Sequence, residues 1–187
     1  MKAFVLCSLL LPAIASAGEW GVGLRASGER ISRGGPDDAA RIDMGGGALL
    51  VRWRISELFG VEVGLGGMSG KLAGGAYERK MGALDLTATL HLNPRSRWDF
   101  YLLAGLGAVT DKVDFVDVDG VSVEQEFKET EVRLGLGLEY RFRHLGLGVE
   151  AAAIGRVRND ADKALDGDAI PKDSGGGQVS LVVGYYF

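Results

Sequence analysis

Residues 130–142 read TEVRLGLGLEYRF, and two kinds of residue alternate along them. Val132, Leu134, Leu136, Leu138, Tyr140 and Phe142 hold one set of positions, while Glu131, Arg133, Gly135, Gly137, Glu139 and Arg141 hold the other. Successive side chains of a β-strand point to opposite faces, so this segment is a strand with one apolar face and one face that is charged or bare. A helix would mix the two sets at its 3.6-residue period. A soluble barrel such as a lipocalin turns its apolar face inward and its charges to water. A barrel in a membrane does the reverse, because an Arg on the lipid face costs about 2–4 kcal/mol at mid-bilayer.

The rest of the chain decides between the two. Period-two alternation predicts strands over Glu19–Ser27, Gly45–Ile55, Phe59–Met68, Met81–Leu92, Trp98–Thr110, Thr130–Phe142, Leu145–Arg156 and Gly176–Phe187, most of them long enough to cross a bilayer at a tilt. Their connections alternate. GERISRGGPDDAARIDM, SGKLAGGAYERK, DKVDFVDVDGVSVEQEFKE and VRNDADKALDGDAIPKDSGG are long, and SEL, NPRSR and RH are short. The expected fold is therefore all-β: an eight-stranded antiparallel up-and-down transmembrane β-barrel with its long loops at one end. A soluble sandwich has no reason to sort its loops this way.

Composition agrees. The chain has 187 residues, 30 Gly and only 4 Pro, which suits many closely packed strands and turns. Its net charge of -4 offers no basic footprint for nucleic acid. Residues 1–17, MKAFVLCSLLLPAIASA, have a basic start at Lys2, an apolar run and a small-residue ending at Ala15-Ser16-Ala17, the pattern of a cleaved signal peptide. The barrel domain is then 18–187, without cysteine, since Cys7 is the only one. No later stretch approaches the ~20 apolar residues of a membrane helix.

Aromatic residues give an independent indication. After residue 17 all of them except Tyr77, Phe115 and Phe127 fall at the short-turn end. Trp20, Trp53, Trp98, Phe100, Tyr140, Phe142, Tyr185 and Phe187 form the expected girdle at the periplasmic interface. Parity also sets the inward groups: Arg25, Arg52, Arg54, Arg133, Arg141 and Arg156, against the acids Glu62, Asp85, Glu139 and Glu150. An eight-stranded bore is just wide enough to be filled by side chains, so these ten groups are expected to pair and plug it. The fifth strand conflicts with its neighbour. A two-residue hairpin at DVDG sets Ala108 opposite Glu131 and opposes the outward facing of Trp98, Phe100, Leu102, Leu106 and Ala108, a conflict that a bulge or an odd-length loop would repair.

The leader, the eight amphipathic strands, the runs AGLGAV, LGLGLEYRF and LGLGVE, and the terminal aromatic strand GQVSLVVGYYF resemble the small outer-membrane barrels of Gram-negative bacteria, the OmpA transmembrane domain and OmpX group. The resemblance implies a monomer in the outer membrane among lipid and lipopolysaccharide. It also implies delivery by periplasmic chaperones to the barrel assembly machinery, with Phe187 and Tyr185 as the assembly signal. No cofactor or nucleic acid is implied. The implied role is envelope structure or surface contact through four loops; a narrow porin-like channel is the alternative, and a lipid-modifying enzyme comes third. His91 and His144 lie at the short-turn end, whereas Ser27, Ser69 and Ser174 lie toward the other, so no Ser-His pair is expected. The segment FVDVDGVSVEQE has Asp117, Asp119, Gly120 and Glu126 at calcium-loop spacing but Phe115 at the first ligand position, so solvated acids are expected there and no metal.

Overall fold

The computed structural model describes residues 18–32, 41–72, 77–116, 122–158 and 173–187. The leader, residues 1–17, lies outside them. The elements are β1 (Glu19–Ser32), β2 (Arg41–Arg54), β3 (Phe59–Leu72), β4 (Tyr77–His91), β5 (Trp98–Val116), β6 (Ser122–Phe142), β7 (Leu145–Arg158) and β8 (Asp173–Tyr186). Each pairs with the next, all antiparallel, and β8 returns to β1 to close the barrel. One register row runs Val22, Val51, Val63, Leu86, Leu106, Val132, Gly155, Gly175 and back to Ser32. The row returns to β1 ten residues further along (32 − 22 = 10). This stagger tilts the strands and leaves a bore that side chains can fill.

The two faces differ as the period-two pattern requires. Leu24, Leu49, Leu65, Leu84, Leu106, Leu134, Leu147 and Leu181 are all exposed on the outside, Leu134 at 60 %. Arg133, beside it in the chain, is 6 % exposed. An exterior that presents a leucine from every strand is not a surface for water.

At the short-turn end the strands stop within a residue of the sequence expectation. A seryl turn follows β2, where Ser56 Oγ accepts from Phe59 N–H at 3.1 Å. In the next turn the Asn93 side chain accepts from Phe100 N–H. The last turn is the pair Arg143-His144, and Arg143 has φ 55°, as the first residue of a primed two-residue hairpin must.

At the long-loop end the strands are longer than expected, and β5 and β6 reach 19 and 21 residues. Most of the expected third loop is therefore strand, and the segments 111–116 and 122–129 are corrected accordingly. The cause is an inversion of polarity. Beyond the apolar band Lys112, Glu124 and Glu126 face out while Val113 and Phe127 are buried inside, so alternation continues with the soluble sense. Ala108 faces Thr130, not Glu131, and Val116 faces Ser122, leaving a five-residue connection, 117–121. The odd loop length settles the facing, with Trp98, Phe100, Leu102, Leu106 and Ala108 outward. Phe115 and Glu126 lie in strands, so the stretch is no twelve-residue calcium loop; Asp117, Asp119 and Gly120 lie outside the described residues.

Candidate functional site: the barrel lumen

A chain with charges on the inner face of a closed sheet must neutralise them there. Toward the short-turn end Arg52, on β2, is the hub. Its Nε donates to Glu62 at 2.6 Å, one Nη to Glu139 at 2.8 Å and the other to Glu150 at 3.1 Å. These acids come from β3, β6 and β7, so one guanidinium ties four strands across the bore. Glu62 also accepts from Arg25 at 3.1 Å, and Arg25 reaches Asp85 at 2.7 Å. Glu139 takes Arg141 at 2.6 Å, and Arg141 reaches Glu19 at 2.8 Å. Arg54 donates to Asp99 at 2.9 Å. Further along the bore Glu131 holds Arg133 at 3.0 Å and Arg156 at 2.9 Å, and Arg156 also binds Glu29 at 2.8 Å.

The ten residues singled out by parity thus all face the bore, and the structure adds others. Tyr101 and Tyr186, which the sequence grouped with the aromatics of the short-turn end, point inward and donate to Glu150 at 2.8 Å and Glu139 at 2.7 Å. Their parity opposite Trp98 and Tyr185 was the available signal. Asp99 shares the inward parity of its strand and was equally readable, whereas Glu29 lies two residues beyond the expected end of the first strand. Arg79, Asp111, Glu129 and Arg158 lie where β4 to β7 run beyond the expected ends, so nothing pointed to them. Arg79 binds Asp111 at 2.6 Å and Arg158 binds Glu129 at 3.1 Å, with the Arg158 guanidinium 3.8 Å from the centre of the Phe127 ring.

Beside this outer charged group lies an apolar one that charge counting could not show. Ile31, Ile42, Met44, Met81 and Val109 form a buried cluster, with Met68 and Ala83 packed on it. Near its long-loop end the described lumen is therefore lined by apolar side chains on one wall and ion pairs on the other. Small cavities remain among the ion pairs of the described residues, and a wider one of about 310 Å³ opens by Arg54 and Arg141 at the short-turn mouth. One small cavity of about 30 Å³ lies among Arg25, Asp85, Glu131, Arg133 and Arg156, and another of about 30 Å³ among Arg52, Glu62, His91, Tyr101 and Tyr186. Each of these two has room for about one to three waters.

Tyr101 and Tyr186 apart, the aromatic residues of the short-turn end face away from the bore. Trp20 stacks on Trp53 at 5.0 Å, Trp98 meets Tyr140 at 4.8 Å, and Tyr185 meets Phe187 edge-on at 5.2 Å. Phe100 and Phe142 are half exposed, and Phe187 is 73 % exposed. At the other end the outward face carries charges above the leucines. Glu78 and Asp114 hold the Lys80 ammonium above its usual range, and hydrogen bonds to Glu124 and Glu126 do the same for Lys112.

A closed eight-stranded barrel, leucines outside and paired charges inside, is the arrangement of a bilayer-spanning sheet. The sequence profile of the outer membrane protein beta-barrel domain matches residues 3–187. The chain belongs to that family. This outer-membrane barrel is similar in structure to neisserial surface protein A, with 15% identity and a TM-score of 0.58 over 90% of this chain and 97% of that one. It is similar to the Ail attachment invasion locus protein of Yersinia pestis, with 16% identity and a TM-score of 0.56 over 91% and 99%. A major outer membrane protein of Thermus thermophilus gives 15% identity and a TM-score of 0.63 over 91% and 100%. At these identities the likeness is one of fold. No curated protein sequence matches the chain significantly.

Proposed function

We propose that this outer-membrane barrel is neither a pore nor an enzyme, and that it serves the envelope as a scaffold that presents the loops of its long-loop end at the cell surface. The observation that carries the reading is the filled lumen. The cavities deep among the ion pairs are about 30 Å³ each, the wider hollow of about 310 Å³ by Arg54 and Arg141 lies at the short-turn mouth, and the apolar cluster stands between the inner ion pairs and the outer mouth. Residues 1–17 are in this reading the export signal, cleaved before Gly18, and Phe187 with Tyr185 is the segment recognised by the assembly machinery after chaperones deliver the chain. The names of Ail and of neisserial surface protein A speak of attachment and of the surface for those proteins; carrying a surface role to this chain is part of the proposal.

Among the described residues one constellation has the look of a catalytic set, and its surroundings speak against that use. His91 Nδ1 lies 2.8 Å from Asp99 and His91 Nε2 lies 3.1 Å from the Thr89 hydroxyl, the order of a nucleophile, base and acid. Asp99, however, is also neutralised by Arg54, and a Cβ on Gly60 would stand 2.6 Å from Thr89 Oγ1, so the hydroxyl faces backbone. The adjoining cavity admits water, not an acyl substrate.

Single-barrel recording in planar bilayers tests the reading. The refolded protein should give no steady conductance step. A large, stable step, unchanged when Glu139 is replaced by Ala, would refute the scaffold and establish the channel alternative.

A further inference from the structure

Every arginine whose side chain is described has a carboxylate partner except two. Arg25, Arg30, Arg52, Arg54, Arg79, Arg95, Arg133, Arg141, Arg156 and Arg158 are each within ion-pair distance of an acid. Arg97 and Arg143 are not, among the described residues, and both are exposed. They belong to neighbouring strand ends. Arg97 O accepts from Arg141 N–H at 2.8 Å, which places Arg97 at the start of β5 beside the β6–β7 turn that carries Arg143. Neither charge is balanced by an acid among the described residues, and an anion at this rim would balance them.

Their neighbours identify the anion. Trp98 follows Arg97 and Phe142 precedes Arg143, and both aromatic side chains are more than half exposed on the outer face of the barrel. Tyr140 packs on Trp98 at 4.8 Å, and the Arg143 guanidinium lies 5.4 Å from the centre of the Phe142 ring. The Arg143 guanidinium thus lies over an outward-facing ring where the apolar exterior ends and the chain turns back, and Arg97 is exposed one residue before outward Trp98, so both belong to the short-turn rim of the barrel. At the opposite rim Lys71, Lys80 and Lys112 also face outward, yet each is held by Glu78, Asp114, Glu124 or Glu126. Among the described residues the short-turn end alone leaves cationic groups open at the lipid boundary.

We propose that Arg97 and Arg143, with Trp98, Tyr140 and Phe142 beneath them, form a binding site for the phosphate of an anionic phospholipid in the leaflet at the short-turn end. The planar guanidinium fork matches a phosphodiester, and the aromatic rings receive the upper part of the acyl chains. Recognition of this kind prefers a lipid with net negative charge over a zwitterionic one, whose own ammonium competes for the phosphate. The proposal rests on the barrel spanning a bilayer and is independent of whether its lumen conducts.

The test uses Trp98 as reporter. In a Trp20→Phe/Trp53→Phe variant, reconstituted in bilayers of phosphatidylcholine mixed with dibrominated phosphatidylglycerol or dibrominated phosphatidylcholine, quenching of Trp98 gives the relative affinity of the adjoining lipid. A preference for phosphatidylglycerol of about fivefold or more is expected, falling toward unity in Arg97→Gln/Arg143→Gln. The same preference, read as retained lipid by native mass spectrometry of the parent protein, covers the case in which the tryptophan variant does not fold. Lys80→Gln/Lys112→Gln should leave it unchanged. Equal quenching by the two lipids, a preference that survives loss of both arginines, or one abolished by millimolar glycerol phosphate would each overturn the proposal, the last by showing a site for the free anion. A conducting barrel that keeps the preference would sink the sealed-lumen reading and leave this one standing.

Discussion

Replacing Glu139 by Ala is the severest single test of the lumen network. Its carboxylate accepts from Arg52 at 2.8 Å, Arg141 at 2.6 Å and the Tyr186 hydroxyl at 2.7 Å, and Glu139 is 2 % exposed. Removing one member of a buried pair costs about 3–5 kcal/mol because a charge is left without its partner. Here the loss is tempered, since Arg52 keeps Glu62 and Glu150, and Arg141 keeps Glu19. The lower end, about 3 kcal/mol, is the expectation. With a urea slope of about 2 kcal/mol/M that moves the unfolding midpoint by about 1.5 M. The assay is reversible unfolding in short-chain lipid vesicles, followed by tryptophan emission. Glu139→Gln should fall between parent and Ala, because the amide oxygen still accepts. Asp43→Asn, which breaks a pair with Arg30 on the open surface, should cost less than about 1 kcal/mol. A Glu139→Ala barrel within that same margin of the parent would show that the lumen is wet enough for water to replace the acid, and the argument from a filled bore would fail.

Two further outcomes follow from contacts already described. A Cβ on Gly137 would overlap the Tyr101 ring at Cζ, so Gly137→Ala should push the phenol off Glu150 and cost about 1–3 kcal/mol; in a Tyr101→Leu background the same change should cost far less, as a double-mutant cycle in unfolding would read. Phe187→Ser should lower the amount of folded protein in the outer membrane while changing the unfolding midpoint of the barrel that does form very little, because Phe187 is a mostly exposed interfacial contact. Equal outer-membrane levels of variant and parent, judged by heat-modifiable gel migration, would count against an assembly role.

The architecture was legible in the sequence because lipid imposes one rule on every residue of a spanning strand. Between Thr130 and Phe142 each outward position is apolar or nearly so, and a single strand is enough to show it. The rule lapses where the strands leave the bilayer. There Lys112 turns out and Val113 turns in, so a reading that sought apolar residues outside ended β5 and β6 too soon and missed Arg79, Asp111, Glu129 and Arg158. Tyr101 and Tyr186 were obscured for a different reason. Both sit beside interfacial aromatics, and a ring beside Trp98, Phe100 or Tyr185 looks like one of them until its parity is counted. The apolar cluster of Ile31, Ile42, Met44, Met81 and Val109 was hidden because its members come from four separate strands, none of which shows more than one or two inward apolar residues at that depth. Parity supplied ten of the inward charges; which acid meets which arginine needed the ten-residue stagger.

That stagger has a consequence for how the barrel finds a single closed form. A strand displaced by two residues keeps every apolar side chain on the outside, so lipid cannot distinguish it from the correct alignment. The outward leucines repeat so regularly in segments such as LGLGLEYRF that the exterior offers little to choose between neighbouring alignments. The inward charges do offer a choice. Arg156 must meet Glu29 from 127 residues away and Arg141 must meet Glu19 from 122 away, and a two-residue slip at the β8–β1 seam would carry those partners about 7 Å apart along the strand. The interior thus works as a combination lock on closure: each guanidinium reads whether a distant strand has arrived in the right place, a check that the lipid-facing side of the same sheet cannot perform.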